Sequence, residues 1–451
     1  MKYIEQIKSI LLTFLVLLSL VLTLLIWNYK PDYELIEETQ IDEVLVGEQK
    51  ELKDVLKPYR LLFHDEGQFY GTVSTNVINQ LYDHLMTLNT GDVDLINSNM
   101  SDVKMNEMIR TNNRVTLFFN DEIPLHVFKD ILPITDSDLP DGNFTRLIID
   151  YANIDSKNQV QLLFLNTEKK ILFGAVAELD DPNLFKEEFI TSVTDFSPYM
   201  EVERDMRRSL YIAQNPIETI QYRYFIDTMG PLDKYKDILF SDPNIVQHNV
   251  ENLQSERYTD GTSLMTADTQ NRILNYVYPP AESVAPIPSA RLLKDSFDFI
   301  NEHGGFTEDY RYSSMNVKKH NIKYQLFLQG YPIYSKMTTT HIVTTWGENR
   351  LFRYRRPYYT IESDITSIHT IKELASGEKT IEHIRSMEDY SLDEIDEIVV
   401  GYYLMQDQNQ DEEQIQDRDV FLLEPSWFII SNDDWTRISP DKLGGSENGL
   451  E

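Results

Sequence analysis

Residues 10–27, from Ile10 to Trp27, carry neither a charge nor a proline. As a helix this run spans roughly 27 Å, close to the hydrocarbon thickness of a bilayer. No second apolar run of that length follows in the 451-residue chain. The sequence therefore predicts one N-terminal membrane helix carrying a large polar body. The run is longer than the apolar core of a signal peptide, and Trp27-Asn-Tyr-Lys-Pro-Asp32 offers no small-x-small cleavage site. We read it as an uncleaved anchor, with a cytoplasmic tail at 1–8 and the membrane helix at 9–28. A buried core helix would need a polar stripe that this segment lacks.

The flanks give an orientation. Lys2, Lys8 and the amino terminus precede the run, whereas Lys30 is followed by Asp32, Glu34, Glu37 and Glu38. The positive-inside rule then places the N-terminus in the cytoplasm and the body outside, at the cell membrane. Ser9, Thr13, Ser19 and Thr23 fall in one broad sector of the helix. Small hydroxyl residues let helices approach closely and hydrogen-bond across the contact, so this sector is the candidate partner-binding face. Lone anchors also carry Ser and Thr without such a role.

Composition limits the body. With 41% hydrophobic and 11% aromatic residues it can bury real cores. A net charge of −33 opposes nucleic acid and anionic lipid as partners. The absence of cysteine excludes disulfides, thiol nucleophiles and cysteine-based zinc sites. Strand-like runs joined by turns, with helices between groups, predict an α+β architecture of mostly antiparallel sheets with packed helices. Three extracytoplasmic domains are expected, at 33–195, 199–303 and 306–440, with a flexible tail at 441–451. Residues 34–57 read as a stalk or first helix, 60–73 as a hairpin, and 77–88 as a helix capped by Ser74 or Thr75. Three strands meander through 145–151, 160–165 and 171–177. Asp260-Gly261 marks a further hairpin turn, and residues 371–387 read as mostly helical with a break at Gly377.

Motifs for chemistry are weak. Ser101-Asp-Val-Lys104 has the Ser-x-x-Lys spacing of penicillin-recognising enzymes, but the Lys-Thr-Gly strand that should accompany it is missing. Ser101 as a helix cap is the simpler reading. Asp407, Asn409 and Asp411 open like a calcium loop, yet Glu412 and Arg418 stand where that loop needs glycine and a bidentate glutamate. The nine histidines show no ligand spacing. We therefore expect no enzyme, no cofactor and no metal. Arg350, Arg353, Arg355 and Arg356 form a local basic concentration that opposes the overall charge, interleaved with Phe352, Tyr354, Tyr358 and Tyr359. On a strand Arg353 and Arg355 share a face opposite Tyr354, a candidate dock for a carboxylate or phosphate. A half-exposed strand whose arginines pair with local acids explains the same pattern.

Ile7-Lys-Ser-Ile10 entering a Leu-rich helix, together with the chain length, resembles the YycH (WalH) family. Gly330-Tyr-Pro-Ile-Tyr334 and Leu423-Glu-Pro-Ser-Trp-Phe428 resemble strands also found in the partner family YycI. The resemblance implies an accessory regulator of the WalK/WalR (YycG/YycF) two-component system of low-GC Gram-positive bacteria. Such a protein sits with YycI beside the sensor histidine kinase WalK and acts largely through membrane-helix contacts. It also implies an outer part of three domains and no catalytic residues. A different reading is an extracytoplasmic binding protein for an anionic cell-wall polymer or peptide, using the Arg350–Arg356 cluster.

Overall fold

The computed structural model describes residues 15, 18, 19, 47–136, 138–205, 207–228, 232–252, 254–361, 370–388, 390–407 and 420–443. Leu15, Leu18 and Ser19 are helical. The rest of the expected membrane span, including Ser9, Thr13 and Thr23, lies outside the described residues, as does the tail from 444. Among the described residues no helix is long and apolar enough to cross a membrane.

The described residues from 47 to 443 form one compact unit built on two sheets. The first sheet holds β1 (Arg60–Asp65), β2 (Gln68–Thr72), β3 (Asn89–Thr90), β4 (Asp94–Asn97), β5 (Arg114–Pro124), β6 (Asn143–Asp150), β7 (Gln159–Asn166), β8 (Ile171–Glu178), β9 (Ser197–Val202) and β10 (Leu210–Ala213). Its order is β10-β9-β2-β1-β5-β6-β7-β8-β3, with β4 also on β8. The named strand pairs of this sheet are antiparallel.

Both faces of this sheet are covered, and the sequence of its strands shows why. Successive side chains on a strand point to opposite faces. Leu61, Phe63, Leu117, Phe119, Leu147 and Ile149 enter one core, while Leu62, Phe118 and Ile148 enter another. Helix α1 (Thr75–Thr87) contributes Ile78, Leu81, Tyr82 and Leu85 to the first core. Helix α2 (Asp102–Ile109) closes the second with Met105 and Ile109. Fully burying side chains of this size stabilises by about 1.5–3 kcal/mol each, so the sheet resists separation from its helices.

The second sheet has fifteen strands among the described residues. They are β11 (Ile217–Thr228), β12 (Gln247–Asn252), β13 (Ser255–Thr259), β14 (Leu264–Asp268), β15 (Ile273–Val277), β16 (Tyr310–Asn316), β17 (Asn321–Leu328), β18 (Tyr331–Tyr334), β19 (His341–Trp346), β20 (Leu351–Pro357), β21 (Tyr359–Ile361), β22 (Thr370–Leu374), β23 (Glu397–Gln406), β24 (Val420–Ser431) and β25 (Asp434–Ile438). Pairing is antiparallel except where β18 lies parallel to β23. Helix α3 (Asp233–Leu239) buries Tyr235 and Leu239. Helix α4 (Ser289–Glu302) buries Leu292, Leu293 and Ile300, and its Ser296 hydroxyl joins Thr344 at 2.6 Å and accepts from Tyr324 at 3.0 Å. Helix α5 (Gly377–Ser386) packs Ile381 and Ile384 beside Trp427 and Ile429.

The hairpin at 60–73, the meander and the Asp260-Gly261 turn form as the sequence predicts, with Gly261 at φ +88°. Residues 371–387 do not form one helix. Thr370–Leu374 is strand β22, paired to β11, and the helix starts only at Gly377, where the Ser376 side chain accepts from the Lys379 amide. The sheets also group the strands differently from a three-way division. β9 and β10 complete the first sheet although they follow residue 195, and β15 pairs β20 across the boundary drawn at 303–306.

Candidate functional site: an arginine pair in the cleft between the sheets

Cross-strand register builds the site. Arg60 on β1 stands opposite Phe118 on β5, and Phe118 stands opposite Arg146 on β6. The three side chains therefore form a row on one face of the first sheet, and each guanidinium carbon lies 4.4 Å from the Phe118 ring centroid. Cation–π contact of this kind contributes about 0.5–2 kcal/mol per cation, more as water is excluded. Both arginines are buried, at 3% and 7% exposure. The row ends on Leu165 of β7, which belongs to the core beneath α2.

Among the described residues one carboxylate reaches this pair, and it comes from the other sheet. Glu397, the first residue of β23, accepts from the Tyr59 hydroxyl at 2.5 Å and from Arg60 Nη2 at 3.2 Å. Arg146 Nη2 stands 3.9 Å from the same oxygen, an ion pair without a hydrogen bond. Arg60 Nη1 donates to the Tyr211 carbonyl at 2.7 Å, and Arg146 Nη1 to the carbonyls of Phe119 and Thr145 at 3.0 and 2.9 Å. Arg60 Nε is buried without an acceptor among the described residues.

The two guanidiniums differ electrostatically. Burial works to lower the pKa of Arg60, but Glu397 and the phenols of Tyr59 and Tyr199 outweigh it and hold the group above its ordinary value. Burial prevails at Arg146, whose pKa is lowered, with Arg208 and Arg60 adding to the effect. Glu397 thus compensates one cation well and the other incompletely. The Tyr59 phenol is pushed up by burial and by Glu397.

These groups line a cleft of about 1110 Å³ between the sheets. Its rim carries Arg208, paired with Glu168 at 2.8 Å, and Arg207, paired with Asp396 at 3.1 Å. Arg204 pins that rim by donating to the carbonyls of Arg208, Leu392 and Ile395. Tyr199, Phe327, Tyr331 and Tyr334 give the cleft aromatic walls, and Asp121, Asp433 and Asp434 add an acidic part. Burial raises the Asp121 carboxyl to about 6, and nearby Asp433 and Glu122 reinforce the shift. Gly330 closes one wall with φ +84°, where a Cβ would lie 2.2 Å from the Val73 carbonyl oxygen. That approach demands glycine.

The arginines that the sequence concentrates at 350–356 are split by the strand. Arg353 and Arg355 are exposed on one face of β20, with Tyr354 buried on the other. Arg356 shares Tyr354's side, is fully buried, and donates to the carbonyls of Gly305 and Pro357, the Thr307 hydroxyl and the Tyr354 hydroxyl. It is a structural residue and does not join a surface cluster. Arg350 lies outside the strand, over the Tyr278 ring at 4.2 Å and bonded to the Ser241 hydroxyl at 3.1 Å. Ser101 Oγ caps α2 by accepting from the Lys104 amide at 3.4 Å. Asp407 is buried and paired with Arg223 at 2.9 Å, whereas Asn409 and Asp411 lie outside the described residues. No cluster of three or more His, Asp or Glu suited to a metal occurs among the described residues.

Sequence reasoning passed over Arg60, Arg146 and Glu397. A signal for two of them was present, since Arg60-Leu-Leu-Phe63 and Arg146-Leu-Ile-Ile149 set an arginine directly against an apolar run. A cation there must be paired or hydrogen-bonded.

The model of the YycH protein C-terminal domain matches residues 207–442, and that of the YycH protein N-terminal domain matches residues 5–189. The chain is 20% identical over 464 aligned positions to the "Two-component system WalR/WalK regulatory protein YycH" of Bacillus subtilis (strain 168), with 99% of both chains covered. Its fold is similar to the crystal structure of YycH from Bacillus subtilis at a TM-score of 0.72 and 17% identity, covering 88% of this chain and 99% of that one. The change of sheet between β10 and β11 falls near the start of the C-terminal match, just inside it, and the two domain matches together place this chain in the YycH family.

Proposed function

We propose that this chain is a non-enzymatic regulator of a WalR/WalK-type two-component system. The observation that carries the reading is the end-to-end match to a relative bearing that description. In this reading residues 9–28 tether the body to the cell membrane as a single pass, N-terminus inside and body extracytoplasmic. The eighteen uncharged residues and the helical Leu15, Leu18 and Ser19 support that tether. The helix acts on a WalK-like sensor histidine kinase through the Ser9, Thr13, Ser19 and Thr23 face, together with a YycI-like membrane protein. It must bind one kinase state better than the other, since an effector shifts an equilibrium only by that difference.

The test is WalR-dependent transcription in cells carrying residues 1–40 alone, the full chain or neither. Regulation restored by the short fragment makes the helix the effector and the body its modulator. A stably expressed fragment without effect removes the helix-contact mechanism and moves the essential contact to the body. The reading as a binder of an anionic wall polymer through β20 keeps Arg353 and Arg355 as the exposed arginines on that strand. Binding of wall fractions that survives R353E with R355E eliminates it.

A further inference from the structure

We propose that the cleft between the sheets is a binding site for a peptide, whose free terminal carboxylate is received by Arg60 and Arg146. The site deepens the regulatory reading as the place where the body would take up a signal, and its test reads peptide affinity alone, so that it succeeds or fails apart from that reading.

Charge carries the first part. Two buried guanidiniums face one carboxylate, in a chain whose net charge is −33. Neighbouring acids do not supply the missing anion, because Glu168 is engaged by Arg208 and Asp396 by Arg207. A buried charge is tolerated when it is paired and hydrogen-bonded, so an uncompensated cation beside a cavity calls for an external anion. Hydrogen-bond capacity carries the second. Guanidinium offers five N–H donors in a planar fork that matches a carboxylate. Among the described residues Arg146 uses only Nη1 on protein acceptors, and its Nη2 is oriented toward Glu397 at 3.9 Å without bonding.

The rest of the cleft selects for a peptide over a bare ion. Its volume of about 1110 Å³ is at the upper end of small-molecule sites and far exceeds an inorganic anion. Tyr199, Phe327, Tyr331 and Tyr334 supply apolar walls for side chains. Asp121, Asp433 and Asp434 supply negative charge that suits an amine. A dipolar, partly apolar ligand matches all three features. Glu397 then acts as an internal competitor, holding the arginine pair in place while the cleft is empty and sharing it when the carboxylate enters.

The experiment is equilibrium dialysis of the full-length protein against an equimolar set of the twenty Ala-Ala-Xaa tripeptides, read by mass spectrometry. The same set as C-terminal amides is run in parallel. At least one free acid should be retained, and its amide should bind at least tenfold more weakly. R146Q should weaken the retained peptide at least tenfold. E397Q should tighten it at least threefold, since it removes the competing charge while keeping an acceptor for Tyr59. A gain of affinity cannot arise from unfolding, so E397Q decides the matter even where R146Q folds poorly. Retention of no peptide, equal retention of acid and amide, or unchanged or weaker binding by folded E397Q each overturns the proposal. Displacement by inorganic phosphate at equal concentration also overturns it, in favour of a plain anion site.

Discussion

Two groups of arginines in this chain teach opposite lessons. Arg350, Arg353, Arg355 and Arg356 crowd within seven residues, yet the strand sends them to different environments. Arg60, Arg146 and Glu397 are scattered along the sequence, yet register and sheet packing bring them together. Density along the chain creates a charged surface, because alternate residues of a strand face apart. Convergence in space creates a site, because it removes water from the charges and makes each remaining partner matter.

Glu397→Ala should show the largest effect. It strips Arg60 and Tyr59 of their shared acceptor and Arg146 of its ion-pair partner, and breaking a buried pair this way costs about 3–5 kcal/mol. Chemical denaturation checks it; a loss of less than 1 kcal/mol would mean that water already screens the pair. Next is the contrast within β20. Arg356→Ala abandons four acceptors in the interior and should cost about 2–4 kcal/mol, whereas Arg355→Ala one residue away should stay within about 0.5 kcal/mol. Equal costs at the two positions would mean that facing does not govern the arginines of this strand.

A third, smaller effect concerns pH. Burial holds the Glu308 carboxyl at about 7, with Asp309 adding to the shift. The folded state therefore binds a proton that the unfolded state has released between about 4.5 and 7. The stability this group contributes is fully present below about 4.5 and is lost as pH rises through 7. Glu308→Gln keeps an acceptor for the Ile361 amide and should raise the melting temperature at pH 8, by an increment worth about 1–3 kcal/mol, while leaving it unchanged near pH 4. An equal gain at both pH values would show that the carboxyl is not the titrating group. The smallest effect is expected for R353E with R355E, which should alter stability by less than about 1 kcal/mol because both side chains are exposed.

The first sheet was legible because its signals are local. Glu66-Gly67 turns the first hairpin with both residues at positive φ, and near-continuous apolar runs at 147–149, 162–165 and 171–177 are separated by polar turns. Thr370–Leu374 was not, because what makes it a strand is pairing with β11, about 150 residues earlier, while its Ile, Lys, Glu and Leu suit a helix equally well. The cleft was invisible for the same reason. Arg60 meets Glu397 across a sequence separation of 337 residues, and neither flank announces the other. Only the intrusion of Arg60 and Arg146 into apolar strands left a trace. The proposed anchor stands at the other extreme, read from one uninterrupted apolar run, with most of its residues outside those described.

The most direct measurement joins the two arginine groups to function. WalR-dependent transcription is compared in a deletion strain complemented with the wild-type chain, with R146Q, or with R353E/R355E, at matched protein levels. The cleft variant should move transcription toward the deletion phenotype and the strand variant should match wild type. A silent cleft variant beside a strand variant that behaves like the deletion would contradict the convergence of function on the buried pair.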